Sequence, residues 1–218
     1  MSRVAHEVAA RSKLRFVLVD CDIHLGYDSL SDLLPYLDPP TRELVLHSGS
    51  HGLSMPTYPW NHPTGWVRRD LYAKEIGGDS SDFAAISLET LRECHLDRYG
   101  VDLGIVEPDE AAVFSLLPNA QLAAKLCSAY NEFLLERWLQ EEPRLRGMLV
   151  VPAQYPQAAA DEIRRMGGRD EFVGVFLPGA ARVPYGNPMY DPIWEAVNEL
   201  GLAVAVHTHF EGVGTAGP

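Results

Sequence analysis

Short apolar runs alternate with amphipathic stretches along most of the chain. One run begins at Val17, and four more span residues 101–106, 148–151, 173–177 and 202–207. Apolar runs of this length, bounded by Gly, Pro or polar residues, predict buried β-strands. Between them, apolar residues recur at helical spacing, for example in residues 119–138 and 156–166. Strands that alternate with helices in this way predict an α/β fold with a parallel sheet, either open or closed into a barrel.

Polar and glycine residues mark where several of these helices begin and end. Asn119 predicts the start of the longest helix, and Asn187-Pro188 predicts the start of the last one. Gly100 and Gly201 follow helical stretches, where a left-handed residue commonly ends the helix. The sequence therefore predicts helices with defined ends in its second half.

Residues 25–86 lack a sustained period and are rich in Pro and aromatic residues. They predict one short helix over residues 30–37, because Pro35, Pro39 and Pro40 break a longer one. An insertion of this length after the first strand is typical of a lid over a functional site. The three histidines of this stretch are predicted to be surface residues: His47, His51 and His62.

Composition predicts one domain over residues 1–218 and limits the possible partners. The net charge of -12 argues against nucleic acid, because no basic patch is available to meet phosphates. No apolar segment reaches the roughly 18–20 residues of a membrane span, and the N-terminus lacks a signal-peptide core. Three unpaired cysteines favour a reducing compartment, so we expect a cytoplasmic protein. Cys21 alternates away from Asp22 and is predicted to be packed in the interior.

The first apolar run ends in polar residues at every second position, namely Asp20, Asp22 and His24. Side chains two apart share one face of a strand, so these three groups should converge. A divalent cation is the simplest compensation for two neighbouring carboxylates. The alternative is a solvated strand end with an Asp that caps the next turn.

The last apolar run also ends in alternating polar residues, His207 and His209. Two strands that end in nitrogen and oxygen ligands can close a site that neither forms alone. We therefore predict that Asp22, His24 and His207 bind one divalent ion. The mixed carboxylate and imidazole set suits Zn or Mn, and the sequence does not choose between them.

These motifs resemble the amidohydrolase-related branch of the amidohydrolase superfamily, which includes aminocarboxymuconate-semialdehyde, carboxyvanillate and resorcylate decarboxylases. In that family the first barrel strand ends in His-x-His or an acidic variant and the fifth ends in His; Asp22-x-His24 and His207 match these positions. The resemblance covers residues 16–210 and continues through residues 151–154 and 188–194. It implies a (β/α)8 TIM barrel with the site at the C-terminal ends of the strands.

The resemblance implies a metal-dependent hydrolase or carboxy-lyase that acts on a small carboxylated, possibly aromatic, substrate. The reaction is either hydrolysis of an amide or ester or non-oxidative decarboxylation, and the acidic first ligand favours decarboxylation. His209, two residues beyond His207, is a candidate for proton exchange with water or substrate. Its alternative role is a hydrogen bond to one of the metal ligands. Arg182, in the loop after the fourth strand, is a candidate substrate-carboxylate clamp, its alternative being a solvated side chain.

Only five strands precede Pro218, whereas a full barrel needs eight. The family's further His after strand six and Asp after strand eight have no counterpart in this sequence. We therefore expect an incomplete barrel. Its alternative function is an inactive assembly or binding module, and its exposed strand edges predict a possible homo-oligomer.

A second motif, Gly212-Val213-Gly214-Thr215-Ala216-Gly217, matches the G-x-G-x-x-G pattern of dinucleotide-binding proteins. That fingerprint requires a helix that begins within the glycines and an acidic residue about 20 positions later, which this sequence does not supply. Dinucleotide binding is thus a remote alternative. The glycines are predicted to form a flexible loop beside the metal site.

Overall fold

A computed structural model describes residues 17–27, 29–48 and 87–208. The described strands form one parallel sheet in the order β1-β2-β3-β4-β5. This sheet confirms the parallel α/β class that the alternating pattern predicts. The strands are β1 (Val19–Leu25), β2 (Leu103–Pro108), β3 (Leu145–Val150), β4 (Phe172–Pro178) and β5 (Ala203–His207).

Helices connect consecutive strands, as a parallel sheet requires. The α-helices are α1 (Pro39–Ser48), α2 (Leu88–Leu91), α3 (Ala120–Leu134), α4 (Pro156–Met166) and α5 (Asp191–Leu200). Helices α2 and α3 continue as π-helical turns over Arg92–Asp97 and Leu135–Leu139, and short 3-10 helices span Leu30–Tyr36, Glu110–Leu116 and Pro188–Tyr190. None of the described helices is long and apolar enough to cross a membrane.

The predicted helix ends are confirmed. The side chain of Asn119 accepts a hydrogen bond from the Leu122 N–H at 3.0 Å and caps α3. Gly100 and Gly201 follow helices with φ angles of 67° and 66°, in the left-handed region that glycine adopts without strain. The local sequence signals therefore suffice to place these boundaries.

Helix α1 lies in the stretch that the sequence predicts to be irregular. Pro39 and Pro40 occupy its first turn, where a missing N–H costs nothing, so they begin a helix here instead of breaking one. Asp38 accepts hydrogen bonds from Thr41 and pairs with Lys125 of α3 at 2.8 Å. The Lys125 contact contributes most to lowering the pKa of Asp38 to about 2. Residues 49–86 of the predicted insertion, with His51 and His62, lie outside the described residues, as do residues 212–217.

The sheet buries apolar side chains on both faces. The larger cluster lies between sheet and helices and includes Val106, Leu177 and Val204. Their strand neighbours, Ile105, Phe176 and Ala205, belong instead to a smaller cluster with Ala112 and Met148. Since successive strand residues point to opposite faces, this smaller cluster occupies the other face of the sheet.

The sheet is strongly curled around that smaller cluster. Four strand spacings of ~4.8 Å would separate β1 from β5 by about 19 Å in a flat sheet. However, the ring centroids of His24 on β1 and His207 on β5 are only 5.1 Å apart. The smaller cluster and these two histidines therefore lie on the concave face of an open half-barrel.

The C-terminal carbonyl of each of the first four strands accepts a hydrogen bond from a side chain. Leu25 O accepts from Tyr130, Pro108 O from His24, Val150 O from Asn131 and Pro178 O from Tyr185, at 2.7–3.1 Å. The carbonyl of His207, which ends β5, accepts from the Gly179 N–H at 2.6 Å. Buried carbonyls need such partners, so these bonds fix the rim at which the strands end.

Strand β1 departs from regular alternation. Its register against β2 shifts between Asp20 and Ile23, which indicates a bulge. Cys21 lies within the bulge and is exposed, so the prediction that it is packed in the interior is wrong. Asp20 instead pairs with His95, with 2.7 Å between Asp20 Oδ2 and His95 Nε2. Its side chain therefore does not converge with those of Asp22 and His24.

Asn131 offers a test of the hydrogen bonds at the rim. It is fully buried, donates to Val150 O and Glu162 Oε1, and accepts from the Val150 N–H at 2.9 Å. We expect Asn131→Ala to lower the free energy of unfolding by about 2–4 kcal/mol, because it leaves several buried polar groups without a hydrogen-bond partner. Urea denaturation followed by circular dichroism measures this change.

The exposed Gln121 on the same helix provides the matched control. Gln121→Ala should change stability by less than about 0.5 kcal/mol. Equal effects of the two substitutions would contradict a structural role for the Asn131 hydrogen bonds.

Candidate metal centre

Four side chains converge at the rim on the concave face, namely Asp22, His24, Glu107 and His207. Asp22 and His24 lie near the end of β1, Glu107 near the end of β2, and His207 ends β5. Each offers one nitrogen or oxygen atom, and these four atoms all lie within 4.8 Å of one another. We call this group the rim cluster. It brings together the three residues that the sequence predicts as ligands and adds Glu107.

The distances between the nitrogen and oxygen atoms of the rim cluster are close to those between ligands of one metal ion. Asp22 Oδ1 lies 3.1 Å from His24 Nε2 and 3.8 Å from His207 Nε2, and Glu107 Oε2 lies 3.9 Å from His207 Nε2. Two ligands that each stand ~2.1 Å from one ion are at most ~4.2 Å apart. Since the four atoms all lie within 4.8 Å of one another, the widest pair has to close by no more than about 0.6 Å for a divalent ion to contact all four.

Both histidines turn the same nitrogen towards the cluster. His24 Nδ1 lies 3.1 Å from Pro108 O and His207 Nδ1 lies 2.9 Å from Thr208 O, so each Nδ1–H donates to a carbonyl. In the neutral ring this leaves the Nε2 lone pair directed at the carboxylates. His24 Nε2 also lies at hydrogen-bond distance, 3.1 Å, from Asp22 Oδ1, and it can donate there only when it carries a proton. With the protons on Nδ1 of both rings, all four atoms present lone pairs to one another, an arrangement that a cation stabilises.

Glu107 is the member of the rim cluster that sequence reasoning missed. It follows the apolar residues of β2 directly, and a lone acidic residue at the end of a strand carries no motif. Its side chain is only 7% exposed, and its Oε2 has no hydrogen-bond partner among the described residues. Burial, more than any neighbouring charge, raises the pKa of Glu107.

Of the two other predicted site residues, the structure describes only Arg182. Arg182 follows β4 and is exposed, with its guanidinium carbon 5.8 Å from the ring centroid of Tyr155. His209 lies outside the described residues. The structure therefore brings together the three predicted ligands, whereas Arg182 is not one of the residues that converge with them.

Apolar side chains form one wall beside the rim cluster. The Phe176 ring is fully buried, and its centroid is 5.8 Å from that of His207. Phe176 packs with Ala112 and Met148 on the same concave face. An apolar wall next to converging polar groups is typical of small-molecule sites.

Further buried polar atoms lie in the loops that follow the strands. Among the described residues, the unpartnered side-chain atoms besides Glu107 Oε2 belong to Ser115 after β2, Gln154 after β3 and Tyr190 after β4. Loops after the strands of a parallel barrel carry binding groups. The rim thus holds polar groups that a bound molecule or water can satisfy.

The amidohydrolase family model matches residues 19–216, nearly the whole chain. Gamma-resorcylate decarboxylase from Rhodococcus jostii (strain RHA1) is 26% identical over 132 residues, which cover 56% of this chain and 40% of that protein. The chain therefore spans less than half the length of this curated relative.

Solved structures show the same fold. 5-Carboxyvanillate decarboxylase from Novosphingobium aromaticivorans, with manganese and a nitrobenzoic acid bound, superposes with a TM-score of 0.61 at 18% identity. Dihydroxybenzoic acid decarboxylase from Polaromonas sp. JS666, with manganese and an inhibitor, gives 0.58 at 21% identity. The matches cover 90% of this chain and 52% and 51% of those chains. The five strands thus correspond to part of a (β/α)8 barrel of the amidohydrolase fold.

The hydrogen bond from His24 to Pro108 O predicts a definite tautomer. When Zn2+ occupies the rim cluster, His24 should carry its proton on Nδ1, because the ion takes the lone pair of Nε2. Ring 15N chemical shifts from long-range 1H–15N correlation spectra distinguish the two tautomers.

His47 is an internal control, because its exposed ring faces Glu43 through Nε2 at 3.2 Å. We expect His47 to show the averaged shifts of a solvated ring. A neutral His24 protonated on Nε2 would contradict the orientation of the lone pair towards the rim cluster.

Proposed function

The chain belongs to the amidohydrolase family, and on that basis we propose that it takes part in metal-dependent, non-oxidative decarboxylation of a small aromatic carboxylic acid. The observation that carries this proposal is the convergence of Asp22, His24 and His207 at one rim. The relatives support the reaction class, since several are decarboxylases of aromatic acids. The chain covers only part of each, so the activity of the whole protein is part of the proposal.

Asp22, His24 and His207 would hold one divalent ion, Zn or Mn. The buried and unpartnered Glu107 Oε2 nearby supports a cation at this place, because an isolated buried carboxylate is costly. Mixed carboxylate and imidazole ligands suit both metals, and manganese is bound in the two similar structures. When bound, the ion supplies Lewis-acid stabilisation of negative charge on substrate oxygens.

The chain's own residues would bind and orient the substrate. Ile105 and Ala205, which are only partly buried and pack with Phe176 on the concave face, would offer an apolar surface to an aromatic ring. In the reaction the ring carbon that carries the carboxylate takes up a proton, and the electron pair of the broken C–C bond stays with the ring as CO2 leaves. We assign the proton exchange to His209 and the binding of a substrate carboxylate to Arg182, both as proposals.

Metal binding and turnover test this proposal together. We expect the protein purified without chelator to hold about one equivalent of Mn or Zn and to release CO2 from hydroxylated benzoic acids. Asp22→Asn should lower metal content to below about a tenth of an equivalent and turnover by at least about 100-fold, because charge stabilisation is lost. Elemental analysis and a coupled CO2 assay measure the two quantities.

Asp170→Asn is the matched control, because Asp170 is exposed and lies just before β4, at the end of the sheet opposite the rim. It should leave metal content and turnover close to wild type. Hydrolysis of esters or amides without CO2 release from any acid would favour the hydrolase reaction over decarboxylation. Equal metal content in Asp22→Asn and wild type would exclude the proposed site.

A second candidate function is assembly through the edges of the sheet. Within the described residues, β1 and β5 pair with a strand on one side only. Several exposed large apolar side chains belong to these edge strands or directly precede β1, namely Val17, Leu18, Val19 and Val206. Unpaired strand edges with exposed apolar residues favour association with another chain.

The mass in solution tests assembly. If the edges associate, light scattering should give an oligomer, and Val19→Glu should shift it towards the monomer, because charge on an edge opposes pairing. Leu44→Glu is the control, since Leu44 is similarly exposed on α1, away from the edges. A monodisperse wild-type monomer would exclude this function.

A further inference from the structure

We propose that the carboxylate of Glu107 is a fourth protein ligand of the ion at the rim cluster. This inference rests on the proposed function, which places the ion on Asp22, His24 and His207. It adds that the interior strand β2 contributes to the site as well as the edge strands β1 and β5. Four ligands would then come from residues within this chain.

The position of Glu107 follows from the pairing of β1 and β2. Glu107 is the register partner of His24, and paired residues of neighbouring parallel strands point to the same face. Both side chains therefore extend from the concave face at the same height. This places Glu107 Oε2 3.9 Å from His207 Nε2, across the curl of the sheet.

Within the part of the chain that the structure describes, one oxygen of the Glu107 carboxylate has no hydrogen-bond donor. Its Oε2 is buried and accepts no hydrogen bond from any described residue. The atoms of the rim cluster that face it, the two Nε2 atoms and Asp22 Oδ1, present lone pairs when the histidines are neutral. A cation in their midst would satisfy Glu107 and the other three together.

The charge of the four ligands matches a divalent ion. Two carboxylates carry two negative charges and two neutral imidazoles carry none, so the filled site would be electrically neutral. A neutral assembly is the least costly arrangement in a partly buried position. Two oxygen and two nitrogen ligands also suit Zn and Mn better than Ca, which takes oxygen ligands.

The test measures Mn2+ binding and thermal stability of the full chain. Glu107→Gln keeps the shape of the side chain and removes its charge. We expect it to raise the dissociation constant for Mn2+ by about 100-fold. Loss of a residue that only supports a metal ligand already weakens metal binding by about 10- to 100-fold, and loss of a ligand should weaken it at least as much. In chelator, by contrast, Glu107→Gln should melt at the same temperature as wild type or higher, because a buried, unpartnered charge is gone.

A purely structural role for Glu107 would give a different pattern. It would lower the melting temperature in chelator and leave the Mn2+ dissociation constant unchanged, which would overturn the inference. Asp170→Asn serves again as the control and should match wild type in both measurements. If Glu107→Gln binds Mn2+ like wild type while Asp22→Asn does not, Glu107 is not a ligand and the proposed function stands. If wild type binds no Mn2+, the proposed function and this inference fail together.

A measurement on the wild-type protein covers the case in which Glu107→Gln does not fold. Six-coordinate Mn2+ with four protein ligands keeps about two waters, whereas three protein ligands leave about three. Water-proton relaxation of the Mn2+-loaded protein counts these waters. About two supports the inference, and about three overturns it.

Discussion

The rim cluster depends on the curl of the parallel sheet. Asp22 and His24 belong to one edge strand and His207 to the other, so no local motif brings them together. The curl carries the two strand ends towards each other until their histidine rings are 5.1 Å apart. Because the strands are parallel, their C-terminal ends all reach the same rim. In a flat sheet, β1 and β5 would instead lie about 19 Å apart, and their side chains could not share one ion.

Hydrogen bonds at the rim link this curl to the orientation of the ligands. His24 donates through Nδ1 to the last carbonyl of β2, so one bond both joins β1 to β2 and directs Nε2 into the cluster. Asn131 and Tyr130 of α3 hold the ends of β3 and β1 in the same way. Ligands fixed by such bonds lose little further freedom when an ion binds, which favours binding.

Much of the fold and most of the cluster could be predicted from sequence, because both follow from local signals. Apolar runs and their polar ends predict the strands, the helix caps and the proposed ligands Asp22, His24 and His207. Glu107 could not be found in this way, since its proposed role depends on register with His24 across 82 intervening residues. The bulge that separates Asp20 and exposes Cys21 likewise arises from pairing with β2. Helix α1 is missing from the sequence prediction, because the effect of Pro39 and Pro40 depends on their position within the helix.

The side chains of the rim cluster differ in their exposure to solvent, and this difference affects how strongly each carboxylate attracts an ion. The Asp22 side chain, on edge strand β1, is 70% exposed, whereas Glu107 on interior strand β2 is 7% exposed. Attraction between charges weakens in water, so Asp22 alone would hold an ion loosely, while Glu107 acts where the effective dielectric constant is low. Any element that covers the edge of β1 would remove water from Asp22 and strengthen its hold on the ion. Coverage of the sheet edge and affinity for metal are therefore coupled through the same strand.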